Sequence, residues 1–362
     1  MDSLQSGLSQ AMISHFSLGL ACLYAALIAV IVGANADRIA AWLRLHDRPG
    51  GRKLHMRPTP LMGGLVIIAV LAPITIAYMT SYEPEGIGHW ALTGFAVTMI
   101  GCAAVGILDD RKPFSARARF GLTLALFIGL LVAEPRFGLQ TLAFTGLDTP
   151  ILLGRLAGSI FTLFVLLGFL NAVNMADGKN GLVIGLVIIW SGLLSITGPG
   201  GLIPVLFPLI ALLVVLLLYN IAGRLFLGDG GTYGLAALIG LAATYSYNFQ
   251  AGAQKADALI LMFLIPVADM MRLIAVRIVA GRSPMDADRD HFHHHLLQWL
   301  GWPGGLIVYW LLVLVPSLWA LNAPELVPVL LICTLCLYFL IVLLAHMAVR
   351  RSAKIESEAA AE

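Results

Sequence analysis

Eleven stretches of about twenty mostly apolar residues dominate this 362-residue chain, and a run of that length is what an α-helix needs to cross the hydrocarbon of a bilayer. They fall near residues 17–36, 61–80, 91–108, 120–134, 156–175, 181–198, 203–222, 232–249, 257–280, 304–321 and 325–348. In lipid each backbone N–H and C=O must be satisfied within the protein, so these stretches predict a bundle of helices and exclude an open sheet. With 59% hydrophobic and 12% charged residues and a mean hydropathy of +0.91, a soluble globular chain is excluded too. The reading is an all-α polytopic integral membrane protein. Residues 1–348 form one transmembrane domain, and 349–362, rich in Ala, Ser and Glu, form a tail. The first sixteen residues lack a basic n-region and the apolar run after them is too long for a signal peptide, so it is expected to remain a membrane helix. Around 135–155, Gly138, Gly146 and Gly154 punctuate alternating segments, which predicts a small β-hairpin on the outer surface.

The net charge of +2 says little, because in such a chain the distribution of Lys and Arg sets the topology. When the eleven segments alternate, 19 of the 22 basic residues fall on one face and only Arg136, Arg155 and Lys255 on the other. The crowded face is therefore read as cytoplasmic, with the amino terminus outside and the carboxyl tail inside. Cys22, Cys102, Cys333 and Cys336 all lie in apolar runs and suggest neither a disulfide framework nor a zinc site.

Against this background, Asn171-Ala-Val-Asn-Met-Ala-Asp-Gly-Lys-Asn-Gly181 stands out. Asn171, Asn174 and Asp177 recur every third residue, so they lie along one drifting face of a helix end before Gly178 and Gly181 turn the chain. Unpaired amides and acids are costly away from water, so the stretch is read as facing an aqueous cleft. Four other unusual segments fall on the same predicted face: 51–64, 106–111, 220–231 and 282–297. Their convergence points to one cytoplasmic site.

Asp109-Asp110 closes a predicted membrane helix, and Asp229 lies in Leu227-Gly-Asp-Gly-Gly231. An acid pair at a solvated helix end has a structural explanation in Arg111 and Lys112. Together with Asp229 it reads better as a site for a hard cation such as Mg²⁺, which takes a few carboxylates plus phosphate oxygens and water. His291, His293, His294 and His295 fit either a transition metal or a phosphate. No cysteine or acid at zinc-site spacing completes a metal pattern, and Arg282 and Arg289 close by favour phosphate. Lys53, between Arg52 and His55, suits the same anion, although juxtamembrane basic residues also bind lipid headgroups.

These segments, in order over residues 50–297, resemble the polyprenyl-phosphate N-acetylhexosamine-1-phosphate transferases. The match comprises Arg52-Lys-x-His with Pro60 and Gly63-Gly64, then Asp109-Asp110, then Asn171-x-x-Asn-x-x-Asp-Gly. It continues with Asn220, Phe226-x-Gly-Asp229 and Asp288-Arg-x-His-x-His-His, the last being closer to the N-acetylglucosamine branch than to the peptidoglycan branch. The resemblance departs at Asn180, where the family usually carries an acid, and at Gly230-Gly-Thr232. It implies transfer of a sugar-1-phosphate from a UDP-N-acetylhexosamine to undecaprenyl phosphate, with Mg²⁺ or Mn²⁺ and release of UMP. The bacterial inner membrane is the implied setting, and O-antigen, enterobacterial-type common antigen or an exopolysaccharide the product class. Carried across residue by residue, Asp109, Asp110 and Asp229 serve metal and catalysis and Phe226 stacks on uracil. Asn171, Asn174, Asp177 and Asn220 hold nucleotide, metal or one another, while Lys53, Arg289, His291, His293 and His294 meet phosphates. Direct attack by the lipid phosphate and a two-step aspartyl-phosphate route both stay open, as do monomer and homodimer.

Two other readings stand beside this one. One is the UDP-N-acetylmuramoyl-pentapeptide transferase branch. The other is a transporter, which calls for ionisable groups near mid-membrane on several helices, whereas Asp269 is the one deep candidate and has Arg272 at i,i+3. Nothing in the sequence calls for nucleic acid.

Overall fold

The computed structural model describes residues 2–47, 57–81, 89–249, 254–284 and 290–359; Lys53 and Arg289 lie outside the described residues. In chain order the helices are α1 (Asp2–Ala34), α2 (Ala36–Leu43), α3 (Gly63–Ser81), α4 (His89–Arg111), α5 (Ala116–Ala133), α6 (Gly154–Ala176) and α7 (Leu182–Thr197). They continue with α8 (Ile203–Ile221), α9 (Gly228–Phe249), α10 (Ala256–Val279), α11 (Phe292–Leu300), α12 (Gly304–Asn322) and α13 (Val327–Ala359). Each of the eleven apolar stretches is helical, and the short α2 and α11 are additions. Among the described residues, eight helices are long and apolar enough to cross a membrane, and the apolar parts of α3 and α7 are shorter.

The remaining stretch, α9, is the least greasy of the eleven for a structural reason. Residues 230–247 are buried throughout, enclosed by α3, α4, α6 and α7. A helix that touches protein on all sides has no use for Leu and Ile facing lipid, so Gly, Ala, Thr, Ser and Tyr take their place. Small residues let backbones approach closely. A side chain at Gly106 on α4 would run into the Asp229 carbonyl, and one at Gly64 on α3 would meet the backbone of Gly230. The outward surfaces of α1, α12 and α13 expose Leu, Ile and Val instead, including Leu23, Leu27, Leu311, Ile332 and Leu343.

Two small antiparallel pairs mark opposite ends of the bundle. β1 (His46–Asp47) pairs with β2 (Thr59–Pro60), and β3 (Thr141–Leu142) with β4 (Ile151–Leu152), the hairpin that the glycine-punctuated segment predicts. That hairpin leads into α6, whereas Asp177 follows the other end of the same helix. With 23 residues between them, the two ends stand about 35 Å apart.

Candidate active site

The site lies where α4, α6 and α8 end and α3 and α9 begin. The short 59–64 segment is stitched to the entry of α9: Phe226 N donates to Pro60 O at 2.8 Å, Met62 N to Phe226 O at 3.1 Å and Gly63 N to Leu227 O at 3.1 Å. The Phe226 ring stays partly exposed while its backbone is held on both sides.

At the end of α4 the two acids diverge. Asp110 turns to α9 and accepts the N–H groups of Asp229 at 2.9 Å and Gly230 at 3.0 Å, capping the first turn of α9 from another helix. Gly228, with φ +70, makes this possible, since a side chain there would collide with the Asp110 carboxylate. Asp109 is buried and turns the other way. Its Oδ1 accepts Phe114 N at 2.5 Å and its Oδ2 pairs with Arg119 at 2.8 Å. The turn is tight because Ser115 caps α5, accepting Ala118 N at 3.2 Å, which brings the first turn of α5 back over the end of α4.

Arg119 reaches further, to 3.5 Å from the Asp229 carboxylate, so one guanidinium spans two of the three acids. In the sequence alone, Arg119 is one of many basic residues on its face. Burial raises the pKa of Asp229 first of all; contact with Asp109 and the charge of Asp110 add to it, while Arg119 opposes it. Two carboxylates in contact need a proton or a cation between them. That donor set fits a hard divalent ion, with Asp229 and Asp109 as its holders and Asp110 fixed alongside by the α9 amides.

Asp177 joins the same centre from α6, accepting the Thr232 hydroxyl at 2.8 Å. Burial, with the Asp110 charge behind it, pushes its pKa up to about 6 despite that hydrogen bond. The predicted amides part company. Asn220 is buried and bridges loops, accepting Gly181 N at 2.5 Å and donating to Leu225 O at 3.0 Å. Asn171 is exposed and donates to Leu167 O of its own helix at 2.7 Å. Asn174 is half-buried between them, one turn before Asp177.

The histidine segment closes the site. His293 is buried against Gly178, where any side chain would strike its Nε2, and that nitrogen has no hydrogen-bond partner among the described residues. Burial and the neighbouring His294 and His291 hold its pKa well below the usual imidazole value, so the ring is neutral. His291 stacks on it at 5.3 Å and lies 3.5 Å from Asp269 Oδ2 through Nδ1, and His294 packs at 4.4 Å from His293. Asp269 also accepts the Phe292 N–H, the Tyr338 hydroxyl at 2.8 Å and Arg272 at 2.9 Å. The acid that looked deep in the membrane thus anchors the start of α11. Segments 106–111, 171–181 and 220–231, with the described parts of 51–64 and 282–297, form one contiguous centre, and His291, at its edge, is half-buried beside the buried His293.

Comparison with known proteins finds similarity over the stretch that builds this centre. The glycosyl transferase family 4 model matches residues 92–247, which run from α4 through α9 and include all three acids, Arg119, Asp177 and Asn220. The chain is 28% identical over 321 residues to decaprenyl-phosphate N-acetylglucosaminephosphotransferase of Mycobacterium leprae, covering 81% of this chain and 76% of that one. It is 29% identical over 280 residues to undecaprenyl-phosphate alpha-N-acetylglucosaminyl 1-phosphate transferase of Yersinia pestis, covering 73% and 72%. The Escherichia coli K12 protein of the same name is 28% identical over 281 residues, again with 73% and 72% covered. An acid-rich polar centre at one end of a multi-helix membrane bundle, with these relatives, defines an integral-membrane transferase. The chain is similar to glycosyl transferase family 4 across the stretch that carries the three acids.

Proposed function

We propose that the protein transfers N-acetylglucosamine-1-phosphate, or a related N-acetylhexosamine-1-phosphate, from a UDP-sugar to undecaprenyl phosphate, with Mg²⁺ or Mn²⁺. The observation that carries the reading is the meeting of Asp109, Asp229 and Arg119, 2.8 and 3.5 Å from the guanidinium, beside an Asp110 locked by two backbone amides. The names of the relatives support a polyprenyl phosphate as acceptor.

By the direct route, a lipid-phosphate oxygen attacks the β-phosphorus of the UDP-sugar. The bond from that phosphorus to the bridging oxygen breaks, and UMP leaves with the electron pair. Two polyanions have to meet, so the chain's work is positioning and charge compensation. A divalent ion held by Asp109 and Asp229 would supply charge neutralisation on the phosphates. Arg119 holds both carboxylates in place and keeps Asp229 ionised more readily than its burial would allow. Asp110 is aimed by the α9 amides, Phe226 offers a partly exposed ring for uracil, and Asp177 with Asn174 lines the approach. Asp269 orients His291 toward the phosphates, with Lys53 and Arg289 assigned to the same anions. The excess of basic residues on this face supports an active site on the cytoplasmic side of a bacterial inner membrane, where UDP-sugars arrive from water and the lipid phosphate from the leaflet. Initiation of a lipid-linked surface glycan follows as the role.

The test is release of UMP by the purified protein given undecaprenyl phosphate, Mg²⁺ and a panel of UDP-N-acetylhexosamines, beside Asp229→Asn. Release with UDP-N-acetylglucosamine, lost on chelation and reduced at least about 100-fold in the variant, is the expected result. A folded preparation that releases no UMP from any donor overturns the proposal.

A further inference from the structure

The last histidine of the cluster, His295, turns away from the centre just described. Its Nε2 lies 2.8 Å from Asp290 Oδ1, and the same oxygen is 3.7 Å from Nε2 of His346 on α13. The two imidazoles pack side by side with centroids 4.3 Å apart, and the three ligand atoms lie within 4.8 Å of one another. The sequence offered no acid to complete a metal set at familiar spacing; the fold supplies one from the turn before α11 and a second histidine from 51 residues further along.

The tautomer of His346 makes the arrangement informative. Its Nδ1 is 3.2 Å from the Val342 carbonyl. A carbonyl oxygen only accepts, so Nδ1 carries a proton. Nε2 faces the Asp290 carboxylate oxygen at 3.7 Å, beyond hydrogen-bond reach, so the two are not joined directly. A metal ion would join them, and a backbone carbonyl on the remote ring nitrogen is the usual support of a metal-bound histidine. Asp290 is held from behind by Arg272, which pairs with Oδ2 at 2.8 Å and also binds the Asp290 carbonyl, so Oδ1 is directed at the histidines. Zinc bonds of about 2.0–2.2 Å at a tetrahedral angle place ligand atoms about 3.3 Å apart, between the observed 2.8 and 3.7 Å. Two imidazole nitrogens with one carboxylate favour Zn²⁺ over Mg²⁺.

We propose that Asp290, His295 and His346 form a transition-metal site of the Zn²⁺ class, separate from the acid centre, that fastens α11 to α13. His346 is 42% exposed through its side chain, which leaves an entry path and a fourth position for water. By holding α11, the ion would fix the segment that carries His291 and His293.

The test is metal binding by the full-length protein in detergent, stripped by chelation and titrated with Co²⁺ and Zn²⁺ under excess Mg²⁺. Wild type is expected to bind one ion per chain with a tetrahedral-type Co²⁺ absorption spectrum that Zn²⁺ displaces, and His346→Gln to weaken binding by at least about tenfold. No Co²⁺ or Zn²⁺ bound under excess Mg²⁺, or a six-coordinate Co²⁺ spectrum, overturns the proposal without reference to any variant. An unchanged isotherm in folded His346→Gln also overturns it, because the ion then sits elsewhere. Since binding is read without turnover, failure here is distinct from failure of the transferase reading.

Discussion

Asp110 accepts the backbone N–H of Asp229 at 2.9 Å, so one acid of the centre caps the helix that presents another. Asp110 therefore has a structural share that Asp229 does not. Asp110→Ala strands two N–H groups in the first turn of α9 and is expected to cost about 1–3 kcal/mol of stability as well as activity. Asp110→Asn keeps an acceptor and should melt closer to wild type while still losing turnover. Thermal melting in detergent beside UMP release separates the two; equal melting of wild type and Asp110→Ala would refute the cap.

Arg119 is expected to set the acid limb of the pH–rate profile. The guanidinium opposes the rise in the Asp229 pKa, so without it the carboxyl holds its proton to higher pH. If the ionised acid is the working form, Arg119→Gln moves the ascending limb of kcat/KM toward higher pH and lowers its plateau by about tenfold or more. An unmoved limb, or one displaced to lower pH, would show that the contact with Asp229 has no catalytic weight.

How far the sequence foretold this centre depends on what each signal measures. Hydropathy located all eleven long helices, because run length reports directly on a membrane span. It ranked α9 with the others without showing that α9 is enclosed by protein, since burial by neighbours is a tertiary property. Asp109, Asp110, Asp177 and Asp229 were legible as acids in apolar surroundings. Arg119 was not, because an arginine in a basic loop looks the same whether it faces water or folds back on two carboxylates. The i,i+3 spacing pairs Asp269 with Arg272, as the structure does, but the grip of Asp269 on the Phe292 N–H spans 23 residues and has no local signature. His346 sits one turn from the end of an apolar run with no polar neighbour to mark it.

Gly178 and His293 are expected to behave as one unit. A methyl group at Gly178 meets His293 Nε2, and the buried ring has no room to retreat. Gly178→Ala should therefore destabilise the protein by about 1–3 kcal/mol, as overpacking does. Adding His293→Ala makes space and should restore part of the melting temperature, a non-additive outcome for two changes in contact. Strict additivity would show that the two segments do not pack as described.

Asp177 gives a pH-dependent stability prediction of definite sign. Its folded-state pKa of about 6 lies above the ordinary carboxyl value of 3.8, so ionising it costs stability that is absent below about pH 4 and fully felt above about pH 6. Asp177→Asn keeps an acceptor for the Thr232 hydroxyl and removes the charge. The variant should melt higher than wild type near pH 7.5, and the difference should shrink as the pH falls through 6. A difference that grows on acidification would reverse the assignment.

The two asparagines that the motif treats alike should separate under mutation. Asn220 is buried and ties Gly181 to Leu225, so Asn220→Ala leaves a donor and an acceptor without partners where the end of α8 meets two loops. A cost of about 1–3 kcal/mol for each such group predicts a protein that folds poorly, whatever the residue does for substrate. Asn171 is exposed and bonded to the preceding turn of its own helix, so Asn171→Ala should shift stability by less than about 0.5 kcal/mol. Any fall in turnover from Asn171→Ala then reports a substrate contact and appears in KM or kcat with the melting curve unmoved. Melting curves that fall equally in both variants would mean that Asn171 carries structural weight its single hydrogen bond does not explain.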